Sequence, residues 1–381
     1  MTMPEGIVAG ALGALWMWYA GFLSRHAWAF IQISSRPLHP SNMRSPLPLV
    51  TVLVPARNEE NRIAACLAAL AQQTYPADRW QLLVIDDHST DDTVNRATQL
   101  LAPLPHAQVL RLANGEGKKA ALTFGVERAM GEIILTTDAD SQPAPQWIAA
   151  MVAQFQSGVQ AVSGPVRMLP GRSLIGRFQA LESAGLVALG AAGIALGRPH
   201  LANGANLAFR SAAFHAVEGY RGVDHIASGD DELLLQRMGR AYPGGVAFAK
   251  LPEAIVDTPA CTTWAQLKAQ RIRWVSKGRA YADAGLKLRL VSAWLVHFSL
   301  LMVGAFALFQ PEPWANIALV GLGVKCVAEL AVLLPAVRFL GRARWLVYFG
   351  PEQLLYIPFV VWAGLRGLWV RPYVWRGRVV E

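Results

Sequence analysis

The run Glu132-Ile133-Ile134-Leu135-Thr136-Thr137-Asp138-Ala139-Asp140 decides how this chain is read. A short aliphatic and β-branched stretch of this kind makes a buried strand, and two carboxylates separated by one residue close it. In extended geometry side chains two apart point the same way, so Asp138 and Asp140 are expected to stand together at the carboxyl edge of a sheet. Like charges this close repel and call for a cation. Two hard oxygen ligands suit Mg2+ or Mn2+, either of which bridges a diphosphate well.

Working outward, comparable runs recur at 49–54, 81–85, 108–112 and 160–162, with 132–136 as the fourth strand. Between them lie amphipathic stretches at 61–72, 91–101 and 118–129, the first carrying Ile63, Leu67 and Leu70 on one face. Alternation of this kind predicts βαβ units in a doubly wound α/β domain, whose ligands bind just beyond the carboxyl ends of the strands. The first strand ends in Val54-Pro55-Ala56-Arg57-Asn58-Glu59-Glu60, the second in Asp86-Asp87-His88-Ser89-Thr90-Asp91-Asp92. Helix capping and turn formation account for part of both, but a cap needs no paired aspartates before it.

The remainder of the chain is unlike a soluble domain. Of 381 residues 53% are hydrophobic and 16% charged, which points to lipid. A first apolar span, 7–24, is followed by Arg25, His26, Arg36 and Arg44, and nothing basic precedes it. This places a retained anchor (1–30) with its N-terminus outside and residue 45 onward in the cytoplasm. Apolar blocks return at 290–309, 314–337 and 345–370. The last is interrupted by Pro351, Glu352, Pro358 and Arg366, so it crosses, dips in or lies along the interface. The stretch 184–196 is too short and glycine-rich for a span and reads as a buried or amphipathic helix. The formal charge of +9 fits nucleic acid, anionic lipid or a phosphate-bearing substrate. The arginines cluster beside apolar spans, so nucleic acid is set aside. Cys66, Cys261 and Cys326 form no close pair, which supports neither a disulfide framework nor a zinc site.

Taken together, the order of these motifs resembles glycosyltransferase family 2, inverting nucleotide-sugar enzymes with the GT-A fold. The likeness rests on Pro55, Asn58 and Glu59; on Asp86, Asp87, Ser89 and Asp91; on Gly117, Lys118, Ala121 and Leu122; and on Asp138 and Asp140. It implies a Rossmann-like mixed sheet flanked by transmembrane helices. It further implies that Pro55, Asn58, Glu59 and Asp87 serve the nucleoside, that Lys118 approaches base or phosphate, and that Asp140 binds the metal directly with Asp138 on ribose or metal. Gly204-Ala205-Asn206 resembles the strand that lines the acceptor side. Ser228-Gly229-Asp230-Asp231-Glu232-Leu233-Leu234 resembles the segment bearing the general base. Asp231 holds the base position there, and Asp230 does so if the match slides by one. Gln270-Arg271-Ile272-Arg273-Trp274 resembles the Gln-x-x-Arg-Trp signature of membrane-bound members, in which a guanidinium holds the leaving diphosphate and an indole stacks on a sugar. The closing Trp375-Arg376-Gly377-Arg378 also looks like tails of such members.

The organisation expected is therefore an anchor at 1–30, a cytoplasmic catalytic domain at 45–285, a membrane domain at 288–371 with two to three spans, and a basic tail at 372–381. The expected function is metal-dependent transfer of a sugar, UDP-linked, from a nucleotide-sugar donor to a lipid or lipid-linked acceptor. Alternatives are a processive polysaccharide synthase, a catalytically inert assembly subunit, and a nucleotidyltransferase; the last would want a glycine-rich phosphate loop where 55–60 lacks one. His200 and His225 are read as structural histidines.

Overall fold

The computed structural model describes residues 3–35, 46–224, 226, 228–369, 373–375 and 378–380. Arg36, Arg44, His225, Arg371, Arg376 and Gly377 lie outside the described residues. A long helix α1 (Met3–Gln32) precedes the run β1 (Val50–Ala56), α2 (Ile63–Ala71), β2 (Trp80–Asp86), α3 (Thr93–Leu101), β3 (Ala107–Arg111), α4 (Lys118–Val126) and β4 (Ile133–Thr136). There follow β5 (Gln142–Pro143), α5 (Trp147–Val152), β6 (Ala161–Ser163), β7 (Val166–Leu169), α6 (Leu174–Ala195), β8 (Leu207–Arg210) and α7 (Ser211–Ala216). The sheet-bearing half closes with α8 (Asp230–Ala241), β9 (Val246–Phe248), β10 (Val256–Pro259) and α9 (Trp264–Ser276). Three long helices, α10 (Ala284–Ala307), α11 (Pro311–Phe339) and α12 (Phe349–Trp369), lead to a small hairpin of β11 (Tyr373–Trp375) and β12 (Arg378–Val380).

The main sheet has seven strands in the order β3-β2-β1-β4-β8-β6-β9, and β5, β10 and β7 form a second, three-stranded sheet. The first four strands are mutually parallel, as their helical crossovers require. Strand β8 then runs antiparallel to both β4 and β6, so the sheet is mixed rather than doubly wound in parallel throughout.

Side chains along the strands alternate between two cores. Val50, Val52, Val54, Leu82 and Leu135 face α2, α3 and α5. Leu53, Leu83, Ile85 and Ile134 face the other way, into a core continuous with α6, α1, α10 and α11. Each such fully buried Val, Leu or Ile contributes about 1.5–3 kcal/mol, so the second face of the sheet is glued to the long helices by the same force that holds the domain together. The hinge of this arrangement is α6. The sequence reading began it at 184, but the helix starts ten residues earlier, capped by the Ser173 hydroxyl, which accepts the Gly176 N–H. Two thirds of its apolar window is buried inside the protein.

Five helical stretches, 3–32, 174–195, 284–307, 311–339 and 343–367, are long and apolar enough to cross a membrane. Two polar ties set two of them against the sheet-bearing half. Lys250 Nζ donates to the carbonyls of Phe30 at 2.6 Å and Ile33 at 3.1 Å, meeting the exposed carbonyl end of α1. Arg167 grips Asp257 through Nε and Nη2 at 2.6 and 2.8 Å and donates to Leu340 O at 3.0 Å, just past the end of α11. Because α10 starts close after α9, it too presents one end to the sheet-bearing half. By contrast α12 runs alongside α9: Phe359 meets Trp264, Trp362 lies under Lys268, and a Cβ on Gly367 would strike Val275.

Candidate active site

The carboxyl ends of β1, β2 and β4 converge as expected, but the motif residues divide into two groups. Glu59 and Asp87 are buried and line a large cavity, as do Pro55, Lys118, Asp138 and Asp140. The others hold loops. Asn58 takes a left-handed conformation (φ 52°) and its Oδ1 accepts the Thr90 N–H at 2.9 Å, while its own N–H donates to Ser89 Oγ at 3.0 Å. It thus stitches the β1 loop to the β2 loop and does not line the cavity, which corrects its assignment to the donor. Asp86 accepts the Ser89 N–H, and Asp91 accepts from Thr93 and from the Glu60 N–H; these are turn and capping bonds. Asp87 itself is oriented by the Gly117 N–H, which donates to its Oδ2 at 3.1 Å.

Asp138 and Asp140 lie beyond the end of β4, in a turn rather than in the strand, so it is the turn and not pleat geometry that brings both into the cavity. Their side chains are 36% and 20% exposed. Lys118 Nζ lies 2.7 Å from Asp138 Oδ1 and 3.0 Å from Asp230 Oδ2, while Arg62 Nη1 stands 3.6 Å from Asp140. One amino group therefore joins the paired-aspartate turn to the start of α8. Burial would lower the Lys118 pKa, but Asp138, Asp230 and Asp231 outweigh it and raise it above its ordinary value. In the same way burial would raise Asp230, and Lys118 holds it below the usual carboxylate range. Among the described residues no cluster of three or more metal-ligating side chains occurs. Two cavity-facing carboxylates leave most coordination positions to phosphate and water, a donor set that fits Mg2+ or Mn2+.

Asp231 is held differently. Its Oδ2 accepts the Gly204 N–H at 3.0 Å and its Oδ1 the Glu232 N–H at 2.7 Å. Gly204 is tightly enclosed: a Cβ there would lie 2.7 Å from Lys118 Nζ and 2.8 Å from Asp230 Oδ2. Two residues on, Asn206 is fully buried. Its Nδ2 donates to Pro165 O and Ala254 O at 2.9 and 2.7 Å, and its Oδ1 accepts the Trp147 indole N–H at 2.8 Å. Every polar atom of that amide has a protein partner, so Asn206 ties segments behind the site together and does not touch the acceptor side.

In the Gln270–Trp274 segment, Gln270, Arg273 and Trp274 line the cavity. Gln270 Oε1 accepts from Gln179 Nε2 at 2.5 Å. Arg271, unassigned by the sequence reading, is buried in a pair with Glu182 of α6 and stacks 4.2 Å over the Trp274 ring. Two further buried charges, Lys119 and Glu232, carry no role in the sequence analysis. Lys119 is buried and donates to the carbonyls of Val223, Ile226 and Ser228 at 2.6, 2.6 and 3.2 Å, which pins the loop before α8; burial lowers its pKa to about 8. Glu232 meets Lys277 at 3.0 Å and the Tyr281 hydroxyl at 2.5 Å, fastening α8 to the chain after α9. No local pattern announces such pairs; only their being charged and buried does.

With this geometry in view, the comparisons with known proteins agree on the class. Residues 51–183 match Glycosyl transferase family 2. An N-acetylglucosaminyltransferase of Bradyrhizobium sp. is 34% identical over 112 residues, 28% of this chain and 72% of that protein. A β-monoglucosyldiacylglycerol synthase of Trichormus variabilis is 36% identical over 128 residues, 32% of this chain and 27% of that protein. Across several relatives the chain spans only 27–57% of their lengths. Among solved structures, a mannosyltransferase of Pyrobaculum calidifontis, in complex with GDP-Man and Mn2+, superposes with a TM-score of 0.60 at 20% identity, covering 95% of this chain and 98% of that one. The chain belongs to glycosyl transferase family 2, with a GT-A-like mixed sheet.

Proposed function

We propose that the chain is a membrane-anchored inverting glycosyltransferase that moves a sugar from a nucleotide-sugar donor to a lipid or lipid-linked acceptor. The observation that carries this reading is a single cavity of about 1870 Å³, whose wall joins Glu59, Asp87, Asp138 and Asp231 to apolar side chains of α1, α6, α10 and α12. A donor site and a lipid-facing groove that share one cavity need no large motion to bring sugar and acceptor together. The relative named for monoglucosyldiacylglycerol and the GDP-Man and Mn2+ of the mannosyltransferase support the two halves separately.

Glu59 and Asp87 take the nucleoside, and Asp140 with Asp138 holds a divalent ion whose chemistry is to neutralise the donor diphosphate. Lys118 and Arg273 add positive charge where the leaving group gains negative charge, and Trp274 offers a face to a sugar. Asp231, or Asp230, removes the proton of the acceptor hydroxyl as its oxygen bonds to the anomeric carbon and the bond to the diphosphate breaks, which inverts that carbon. Residues 45–285 make the catalytic domain. We read α1, α10 and α11 as crossing helices and α12 as interfacial, with the catalytic domain cytoplasmic, because Arg338, Arg342 and Arg344 fall at the end of α11 that meets it.

The test is release of nucleoside diphosphate by the detergent-solubilised chain from a panel of nucleotide sugars with Mg2+ or Mn2+, host lipid extract serving as acceptor. Metal-dependent release from one donor is expected, with transfer lost in Asp231→Asn if Asp231 is the base and in Asp230→Asn if the alternative holds. Nucleotide binding without turnover on any donor would return the chain to the inert-subunit reading.

A further inference from the structure

Where α1, α10 and the loop after α6 contribute to the cavity wall, it carries Arg25, Arg198, Lys287 and Arg289. Arg25 neighbours His26 in α1, Arg198 lies two residues before His200 in the loop after α6, and the positive charges of Arg25, Arg198 and Arg289 all reach the His26 ring. Arg289 Nη2 lies 3.0 Å from His200 Nε2 and 3.7 Å from Asp283, and Arg198 and Arg240 also act on His200. Asp283 pairs with Arg289 and, at 3.2 Å, with His200; among the described residues Arg25 and Arg198 show no ion pair. Beside the arginines the wall turns apolar. Met17 and Trp18 of α1 and Leu290 and Val291 of α10 line the same cavity and are 63%, 40%, 46% and 53% exposed, so the cavity opens sideways between two long apolar helices.

Guanidinia brought together with one carboxylate repel one another, and an anion relieves that repulsion. The planar fork suits phosphate, and two forks hold it from two sides. We propose that Arg25, Arg198 and Arg289 form a phosphate site at the lateral mouth of the cavity, occupied by the phosphate of a membrane lipid whose hydrocarbon chains lie between α1 and α10. The inference rests on reading this cavity as lipid-facing. A soluble phosphate ester would gain nothing from the apolar slot, and a neutral lipid nothing from the arginines; an anionic phospholipid uses both. The loop 198–204 carries Arg198 and His200 at one end and Gly204, the donor to Asp231, at the other. The site thus lies on the path from bilayer to base.

To test this, the full chain is reconstituted in phosphatidylcholine nanodiscs containing a minor fraction of phosphatidylglycerol and extracted in mild detergent, and the retained lipid is quantified by mass spectrometry. Phosphatidylglycerol is expected to be enriched over its share in the disc. The Arg198→Gln/Arg289→Gln variant should lose that enrichment about tenfold or more, while Arg96→Gln/Arg221→Gln, which removes the same charge elsewhere, keeps it. Should the double variant fail to show a thermal transition, Arg198→Gln alone, on an exposed loop, is expected to lose part of the enrichment. Equal enrichment in wild type and arginine variants overturns the site. Inorganic phosphate that raises the wild-type Tm as much as phosphatidylglycerol does overturns the lipid as its source. Sugar transfer with no lipid preference sinks this inference and leaves the proposed function standing. Arginine-dependent lipid retention with no transfer from any donor sinks the function and leaves the site.

Discussion

The proposed donor half and the proposed acceptor half of this cavity are built by opposite means. On the donor side the side chains that orient one another are close in sequence or lie on adjacent strands: Asp86 with Ser89, Asp91 with Thr93, Asn58 with Thr90 across neighbouring loops. On the acceptor side several charged groups are held by partners far away. Lys118 reaches Asp230, Lys119 reaches the loop before α8 across more than a hundred residues, and Lys277 and Tyr281 hold Glu232. Local bonds make a donor loop that forms with the sheet. Long-range charge contacts make an acceptor side that is assembled only when α8, α9 and the β4 turn are all in place.

Breaking the donor side at its carboxylate pair should have the largest effect. Asp140→Ala is expected to lower nucleoside diphosphate release by on the order of 10²–10³-fold, with the thermal transition retained, and full activity in that variant would end the metal assignment. Next comes the scaffold behind the acceptor side. Asn206→Ala leaves Pro165 O, Ala254 O and the Trp147 indole N–H without their buried partner, so it should cost about 1–3 kcal/mol of stability, read as a lower Tm. Nucleotide affinity measured below that transition should be unchanged, since Asn206 touches no part of the cavity. Loss of affinity with an unaltered Tm would make it a contact residue after all.

The junction between the halves offers a subtler cut. In Gly204→Ala the new methyl closes on the side-chain ends of Lys118 and Asp230 and makes an ordinary contact with Asp231 Cβ at 3.6 Å, so the fold should survive while turnover falls roughly tenfold, about 1.4 kcal/mol. A Tm drop as large as that of Asn206→Ala would place Gly204 in the scaffold instead. The smallest effect expected is in acid. Because the Asp230 carboxyl is held below its ordinary value in the folded chain, it stabilises the fold above the unfolded carboxylate value, near pH 4, and that contribution is lost as pH falls through the folded value. Asp230→Asn should therefore flatten the loss of Tm below about pH 4, and an unchanged acid limb would show that the Lys118 pair adds nothing to stability.

The two halves were unequally legible. That Glu59, Asp87, Asp138 and Asp140 would share one cavity was legible because each follows a recognisable strand, and strand ends converge at one edge of the sheet. The same logic overreached at Asn58, whose type and position suit a turn as well as a nucleoside, and at Asn206, where a motif position gave no sign that the amide was buried with all its bonds made. Lys119, Arg271 and Lys277 were passed over for the opposite reason: a lysine or arginine beside an apolar span looks like a solvated or interfacial charge until its carbonyls or carboxylate are seen around it.

Sequence by itself determined the alternation of strand and helix, the acids at the strand ends and the length of apolar chain able to enter a membrane, all set by periodicity and composition within a few residues, and the order of its motifs carried the family resemblance. Only the tertiary structure decided that β8 runs antiparallel, that α6 is a buried hinge between the sheet and the long apolar helices, that α12 follows α9, and which charges meet across the cavity. Those outcomes depend on how distant faces bury one another, and packing between segments a hundred residues apart leaves no mark in the spacing of either.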